Sequence, residues 1–152
     1  MVKLPPDFKE FLTLLNFHKV DYLLVGGYAV CLHGYPRYTS DMDIWVAVEE
    51  ANASKIVNAL KDFGFAGPHL STELFLQATR MTQLGREPVK IEILNRISGV
   101  QFSDAQPRAC LLQVDGVCIP VISLADLRLN KAASGRSKDL ADLDNLPLAD
   151  NL

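Results

Sequence analysis

The sequence predicts an α/β (α+β) fold, a short mixed β-sheet of about four to six strands with helices packed on it. Three observations predict it. Apolar runs of helical and of strand period are interleaved, with no repeat and no low-complexity tract. Glycine and proline punctuate them, at Gly26-Gly27, Gly64, Gly67-Pro68, Gly85, Gly116 and Gly135. The 152 residues, 49% hydrophobic and 22% charged, suffice for one compact domain, and no linker divides it, so 1–152 reads as a single domain.

Each element follows from its residues. Pro5-Pro6-Asp7 opens a helix carrying Phe8, Phe11, Leu12 and Leu15 at helical spacing, and Asp7 with Glu10 has the form of a capping box. Tyr22 to Val25 is a short apolar strand. Gly26-Gly27 turn the chain into a short helix from Tyr28 to His33, stopped by Gly34. Asp41 to Val48 reads as a strand after the loop Pro36 to Ser40. Ala53, Ile56, Val57 and Leu60 form an amphipathic helix that ends near Gly64.

Ser71 to Gln77 reads as a short helix capped by Ser71 or Thr72, and Thr79 to Leu84 as a strand closed by Gly85. Val89 to Leu94 alternates, with Ile91 and Ile93 on one face and Lys90 and Glu92 on the other. Asp104 to Arg108 is one helical turn. Asp115-Gly116 joins Cys110–Val114 to Val117–Ile122 as a hairpin. Ser123 with Asp126 caps a helix through Ala133, which Gly135 breaks. Ser137 starts a last helix with Leu140, Leu143 and Leu146 apolar, giving a C-terminal helix pair.

The bulk numbers narrow the function classes. A net charge of −3 argues against non-specific coating of nucleic acid, while leaving room for a local basic site. Cys31, Cys110 and Cys118 are an odd count without a CxxC, and read as small buried thiols in a reducing compartment. His18, His33 and His69 make no zinc pattern. The N-terminus lacks the shape of a signal peptide, and no apolar run approaches a membrane span, so the expected location is cytoplasmic with no membrane partner.

The stretch VGGYAVCLHGYPRYTSDMDIWV, starting at Val25, carries the chemistry. Strand, Gly-Gly, then helix places unpaired backbone N–H groups at a helix start, which favours a phosphate. Asp41 and Asp43 are i and i+2 on a strand, so they share a face about 7 Å apart and can converge on a hard cation such as Mg²⁺. Glu92, on the polar face of a later strand, is a candidate third ligand. Taken singly, each feature has a plainer reading. Gly-Gly marks a turn, Asp41 caps one after Ser40, Asp43 and Glu92 are solvent-facing strand residues, and Lys131, Arg136 and Lys138 are solvated charge at a helix junction. Arg37 equally suits a pairing with Asp41 or Asp43. Together the features fit a site for phosphate and metal, because acids beside the apolar run Ile44-Trp45-Val46-Ala47-Val48 are costly unless compensated.

The arrangement apolar-Gly-Gly, thirteen residues, Asp-apolar-Asp-apolar resembles the nucleotidyltransferase fold of the DNA polymerase β superfamily. The longer string is similar to small AbiEii-type and minimal nucleotidyltransferases. Further likeness in FLQATRMTQLGREPVKIEIL, ISGVQF and NKAASGRSKDLADLDNL extends it over roughly Asp21 to Leu146. The resemblance implies that Gly26 and Gly27 hold the β/γ-phosphates of a nucleoside triphosphate such as ATP. It implies that Asp41 and Asp43 bind Mg²⁺ (or Mn²⁺), with Glu92 in the place of a third carboxylate that is commonly Asp. It implies that Arg37 and Thr39 line the entrance, and that Lys131, Arg136 and Lys138 contact the triphosphate or order the site. Tyr28 stands where many relatives have Ser, which shifts phosphate contact toward backbone N–H groups.

The expected activity is metal-dependent transfer of a nucleoside monophosphate from NTP to a protein or RNA acceptor, with release of pyrophosphate. A tRNA 3′ end as acceptor needs only a small basic mouth, for which Arg37, Arg80, Arg86, Lys90, Arg96, Lys131, Arg136 and Lys138 are the candidates. Two other readings stand beside it. One is a weakly catalytic or non-catalytic module of a toxin–antitoxin-type pair, with a cognate toxin or antitoxin as partner. The other is a small α/β protein with an incidental acidic cluster.

Overall fold

The computed structural model describes residues 3–86 and 89–148. Its centre is a six-stranded mixed sheet of order β3-β4-β2-β1-β6-β5. The strands are β1 (Tyr22–Val25), β2 (Asp41–Val46), β3 (Met81–Arg86), β4 (Val89–Leu94), β5 (Cys110–Val114) and β6 (Val117–Val121). β1 runs antiparallel to β2 and parallel to β6, β2 runs parallel to β4, and β3 and β5 close the edges as antiparallel strands. The helices are α1 (Pro6–Phe17), α2 (Gly26–Leu32), α3 (Glu50–Phe63), α4 (Phe102–Ala105), α5 (Leu124–Ser134) and α6 (Ser137–Asn145), with 3₁₀ turns at Thr72–Phe75 and Gln106–Arg108. The mixed sheet with its helices and C-terminal helix pair is the architecture expected from the sequence.

The register separates two faces, since residues paired across strands point to the same side. Met42, Ile44 and Val46 of β2 lie beside Ile91 and Ile93 of β4 and Leu24 of β1, all buried. α1 packs on α3 and on β4 and β6. The opposite face carries Asp41, Asp43 and Trp45, paired with Lys90, Glu92 and Leu94. Trp45 is covered there by Phe102, edge to face with ring centroids 5.1 Å apart. The chain leaving β4 thus shields the lower half of this face and leaves the acidic end open.

Several boundaries differ from expectation. α1 has no side-chain cap, and its start is set by the proline pair rather than by an Asp7–Glu10 box. Gly26 and Gly27 are the first two residues of α2, not a turn before it. β2 ends at Val46, and Gly85 lies inside β3. Ser71 to Gln77 forms only the 3₁₀ turn, without a side-chain cap. The hairpin is as read, with Asp115 at φ 50° and Gly116 at φ 82°, both positive as a two-residue turn of this kind requires. The Ser123 cap is also as read, its Oγ accepting from the Asp126 N–H at 3.1 Å. The thiols depart from the buried expectation: Cys118 is exposed and Cys31 and Cys110 are half-buried, all three unpaired. Among the described residues, no helix is long and apolar enough to cross a membrane.

Candidate active site

Sequence order alone brings Gly26 and the acids together. β1 ends at Val25, whose register partner is Asp43, so the first residue of α2 sits directly beside that carboxyl. Gly26 has φ +69°, and a Cβ built there would overlap Asp43 Oδ2. A Cβ on Gly27 would overlap Thr39 Oγ1 and come within 3.3 Å of an Arg37 Nη1. The two glycines therefore leave the space that Asp43, Thr39 and Arg37 converge on. α2 has only seven residues, so its backbone N–H groups rather than a long macrodipole provide the local positive field.

The acidic side is built by the β2–β4 pairing, Asp41 opposite Lys90 and Asp43 opposite Glu92. Ser40 Oγ donates to Asp41 Oδ1 at 3.1 Å, and Gln83 Nε2 donates to Glu92 Oε1 at 3.2 Å. Lys90 Nζ lies 3.7 Å from Asp41 Oδ2 and 3.8 Å from Glu92 Oε1. Burial pushes the Asp43 carboxyl up to about 8, helped by its hydrogen bond to Glu92 and the charges of Glu92 and Asp41, and opposed by Lys131. Asp43 is thus pushed toward its protonated form, and its Oδ1 is buried without a hydrogen-bond partner. An orphaned buried carboxyl oxygen next to two further acids is a donor set suited to a hard cation. Among the described residues, no three His, Cys, Asp or Glu side chains already converge as a finished ion cage.

The basic side is a buried network. Arg37 donates from Nε and Nη2 to the two oxygens of Asp142, at 2.7 and 2.8 Å. The plainer alternative for Arg37, a pairing with Asp41 or Asp43, is thereby replaced: the loop before β2 is tied to α6, 105 residues away. Lys131 Nζ lies 3.2 Å from Asp139 Oδ1 and 3.1 Å from Asp142 Oδ2. Asp139 also accepts from Ser134 Oγ and Arg136 Nε. Burial raises both carboxyls, but hydrogen bonds outweigh it and hold them below the usual range. Arg136, Ser134 and Lys131 supply these bonds at Asp139, and Arg37 and Lys131 at Asp142. Asp139 and Asp142 near the start of α6 also suit its helix dipole, but the structure engages them in this network. Their place in i, i+3 spacing opposite Lys131 was the available signal.

The two sides meet at a cavity of about 440 Å³ that includes Gly26, Gly27, Arg37, Asp43, Lys131 and Arg136. A smaller one of about 180 Å³, lined by Gly27, Thr39, Asp41, Asp43 and Lys138, adjoins it through Gly27 and Asp43. Nine of the ten residues singled out in the sequence therefore line one or the other. Glu92 lines neither, and is connected through Asp43. Arg96 lines the larger cavity and, with Lys138, makes no ion pair among the described residues. Arg80 is exposed, and the side chain of Arg86 lies outside the described residues.

Comparison with known proteins identifies the family and the fold. A family model described as "Nucleotidyltransferase of unknown function (DUF6036)" matches residues 3–152. No curated protein matches the chain in sequence. Among solved structures, TM1012 of Thermotoga maritima, a nucleotidyltransferase by assignment, is 19% identical with TM-score 0.59, over 90% of this chain and 88% of that one. The lincomycin-bound lincosamide antibiotic adenylyltransferase LnuA is 18% identical with TM-score 0.58, over 93% and 95%. An antigenic nucleotidyltransferase-like protein from Paracoccidioides brasiliensis is 19% identical with TM-score 0.57, over 91% and 73%. At these identities the likeness is one of fold.

Proposed function

The chain belongs to the DUF6036 nucleotidyltransferase family, and from that premise we propose that it transfers a nucleoside monophosphate from an NTP to a hydroxyl of a protein or RNA acceptor, releasing pyrophosphate. The observation that carries this reading is the contact of the Asp43 carboxyl with the Gly26 backbone, which puts a candidate cation ligand and a candidate phosphate cradle on one cavity. Family membership supports nucleotidyl transfer in general; the acceptor, the residues' roles and metal dependence are this reading's own.

Asp41, Asp43 and Glu92 would hold Mg²⁺ or Mn²⁺, which when bound neutralises triphosphate charge and polarises the α-phosphate. Gly26 and Gly27 would offer backbone N–H groups to the β/γ-phosphates, with Asp43, Thr39 and Arg37 packed into the room that their missing side chains leave. Arg37 is presented at Gly27 by the fork of Asp142, and is oriented before any substrate arrives. Thr39 Oγ1 donates to the Asp41 carbonyl at 3.3 Å, fixing the loop that enters β2. Lys131 sets the C-terminal helix pair against the site, while Arg136 and Lys138 bring charge to its rim. Asp43 must release its proton to serve as an anionic ligand. Glu92, beside Asp43 in the β2–β4 register, would act either as a further ion ligand or as the base that takes a proton from an acceptor hydroxyl. Catalysis of this kind is mainly positioning and electrostatic stabilisation.

Thermal melts with each NTP and Mg²⁺ test the reading. At least one NTP should raise the melting temperature of the wild-type protein, and an Asp41→Asn/Asp43→Asn variant that melts cooperatively should not respond. Labelled NTP with a cell extract should then carry label into RNA or protein, in a manner lost in the same variant. Nucleotide binding without any transfer would favour the regulatory module of a toxin–antitoxin-type pair. No response to any NTP would sink both.

A further inference from the structure

We infer that Lys90 is a built-in counter-cation of the carboxylate site, which a divalent ion must displace and which the triphosphate then takes up. The inference rests on the reading of Asp41, Asp43 and Glu92 as ion ligands. Its own ground is the β2–β4 register. Asp41 pairs with Lys90 and Asp43 with Glu92, so the ammonium is carried on the same sheet face as the three acids. The Nζ stands 3.7 Å from Asp41 Oδ2 and 3.8 Å from Glu92 Oε1, between the outer two carboxylates. Its side chain is 24% exposed, against 31% for Asp41 and 17% for Glu92, so the group is partly screened and partly enclosed.

Two properties of lysine make this more than a surface ion pair. The ammonium is a point charge on a flexible stem, able to leave without disturbing β4. Both distances are also beyond close hydrogen-bonding range, so the amine offsets the charge of Asp41 and Glu92 without a close hydrogen bond to either carboxylate. A divalent ion needs carboxylate oxygens at about 2.0–2.1 Å if it is Mg²⁺. An ammonium this near two of those carboxylates repels the incoming ion and competes for its ligands. A triphosphate, with several negative charges, offers the displaced ammonium a new partner. Metal and nucleotide then load together, and metal alone binds poorly.

The test measures Mn²⁺ binding by electron paramagnetic resonance, first without nucleotide, on wild type, Lys90→Gln, Lys90→Met and Lys90→Arg. Two partly exposed ion pairs together correspond to roughly a tenfold change in an equilibrium constant. Lys90→Gln and Lys90→Met should therefore bind Mn²⁺ about tenfold more tightly than wild type, with Lys90→Arg close to wild type. With a non-hydrolysable NTP analogue present, the advantage of Lys90→Gln should vanish or reverse. Lys138→Gln removes the same charge from the cavity rim and should tighten Mn²⁺ far less. Equal tightening by Lys138→Gln, or none by either neutral Lys90 variant, overturns the inference. The Asp41→Asn/Asp43→Asn protein separates the two levels. If it loses Mn²⁺ while neutral Lys90 variants match wild type, only Lys90's role falls. If it binds Mn²⁺ as wild type does, or if no variant binds Mn²⁺, the ligand reading falls with it.

Discussion

Gly26→Ala tests the contact on which the site depends, and does so without any substrate. At φ +69° an alanine carries the left-handed penalty of roughly 1–2 kcal/mol. Its Cβ would also overlap Asp43 Oδ2 and lie 2.9 Å from Asp43 Cγ. Asp43 cannot swing aside freely, because its Oδ1 is buried and its carboxyl is hydrogen-bonded to Glu92. Overpacking of this kind adds about 1–3 kcal/mol. The expected loss is therefore about 2–5 kcal/mol, or roughly 5–20 °C in melting temperature for a chain of this length. A double-mutant cycle with Asp43→Ala separates the two parts. In the Asp43→Ala background the overlaps with Oδ2 and Cγ disappear, while the φ part and a Cβ contact of 3.0 Å stay, so urea melts should give a coupling of up to about 3 kcal/mol. The effect of Asp43→Ala itself, which removes both a burial cost and a hydrogen bond, cancels from the cycle. Additivity within about 0.5 kcal/mol would mean that the carboxyl does not lie over Gly26, and the common-cavity argument would fail.

The C-terminal network gives three further expectations. Asp142→Asn leaves Arg37 and Lys131, whose side chains are 16% and 6% exposed, short of a buried counter-charge, and should cost about 3–5 kcal/mol in urea melts. Arg136→Gln, at a side chain 77% exposed, should change stability by less than about 1 kcal/mol although it bonds the same Asp139. The carboxyls of Asp139 and Asp142 titrate lower in the folded chain than the ordinary value near 4, so the unfolded chain binds more protons in acid. Their stabilisation is complete above that value and is lost as pH falls toward the folded-state values. Melts in a pH series should show wild type losing stability below about pH 4, and Asp139→Asn, destabilised at neutral pH, losing less.

What the sequence made legible was local. The β5–β6 turn, the Ser123 cap and the alternation of β4 depend on neighbours a few residues apart, and each stands where its residues put it. What it concealed was pairing between distant segments. In α6 the apolar set Leu140, Leu143 and Leu146 read as the inward face, yet Leu140 is 45% exposed while Asp139 and Asp142 are buried. Hydrophobic periodicity counts only apolar residues, and this helix docks through acids because Lys131 and Arg37 wait for them. The position of Lys90 was equally invisible. Alternation placed it on the polar face of β4, but only the parallel register with β2 sets it against Asp41. The Asp7–Glu10 box failed for the opposite reason, because the Pro5-Pro6 geometry already fixes the start of α1.

These charges also bear on how a chain of net charge −3 could attract a polyanion. Among the described residues, Arg37, Lys131 and Arg136 meet two carboxylates, Asp139 and Asp142, so that wall of the cavity retains positive charge. Arg96 and Lys138 add to it. The opposite side presents Asp41 and Asp43, with Glu92 and Lys90 next to them on β4. A bare phosphate is drawn to one wall and repelled by the other, and a bare divalent ion meets the reverse pattern. A metal–triphosphate complex, negative along its phosphate chain and positive at the ion, matches both walls at once. The selectivity of such a cavity would lie in the separation of its two signs of charge, which net charge does not reveal.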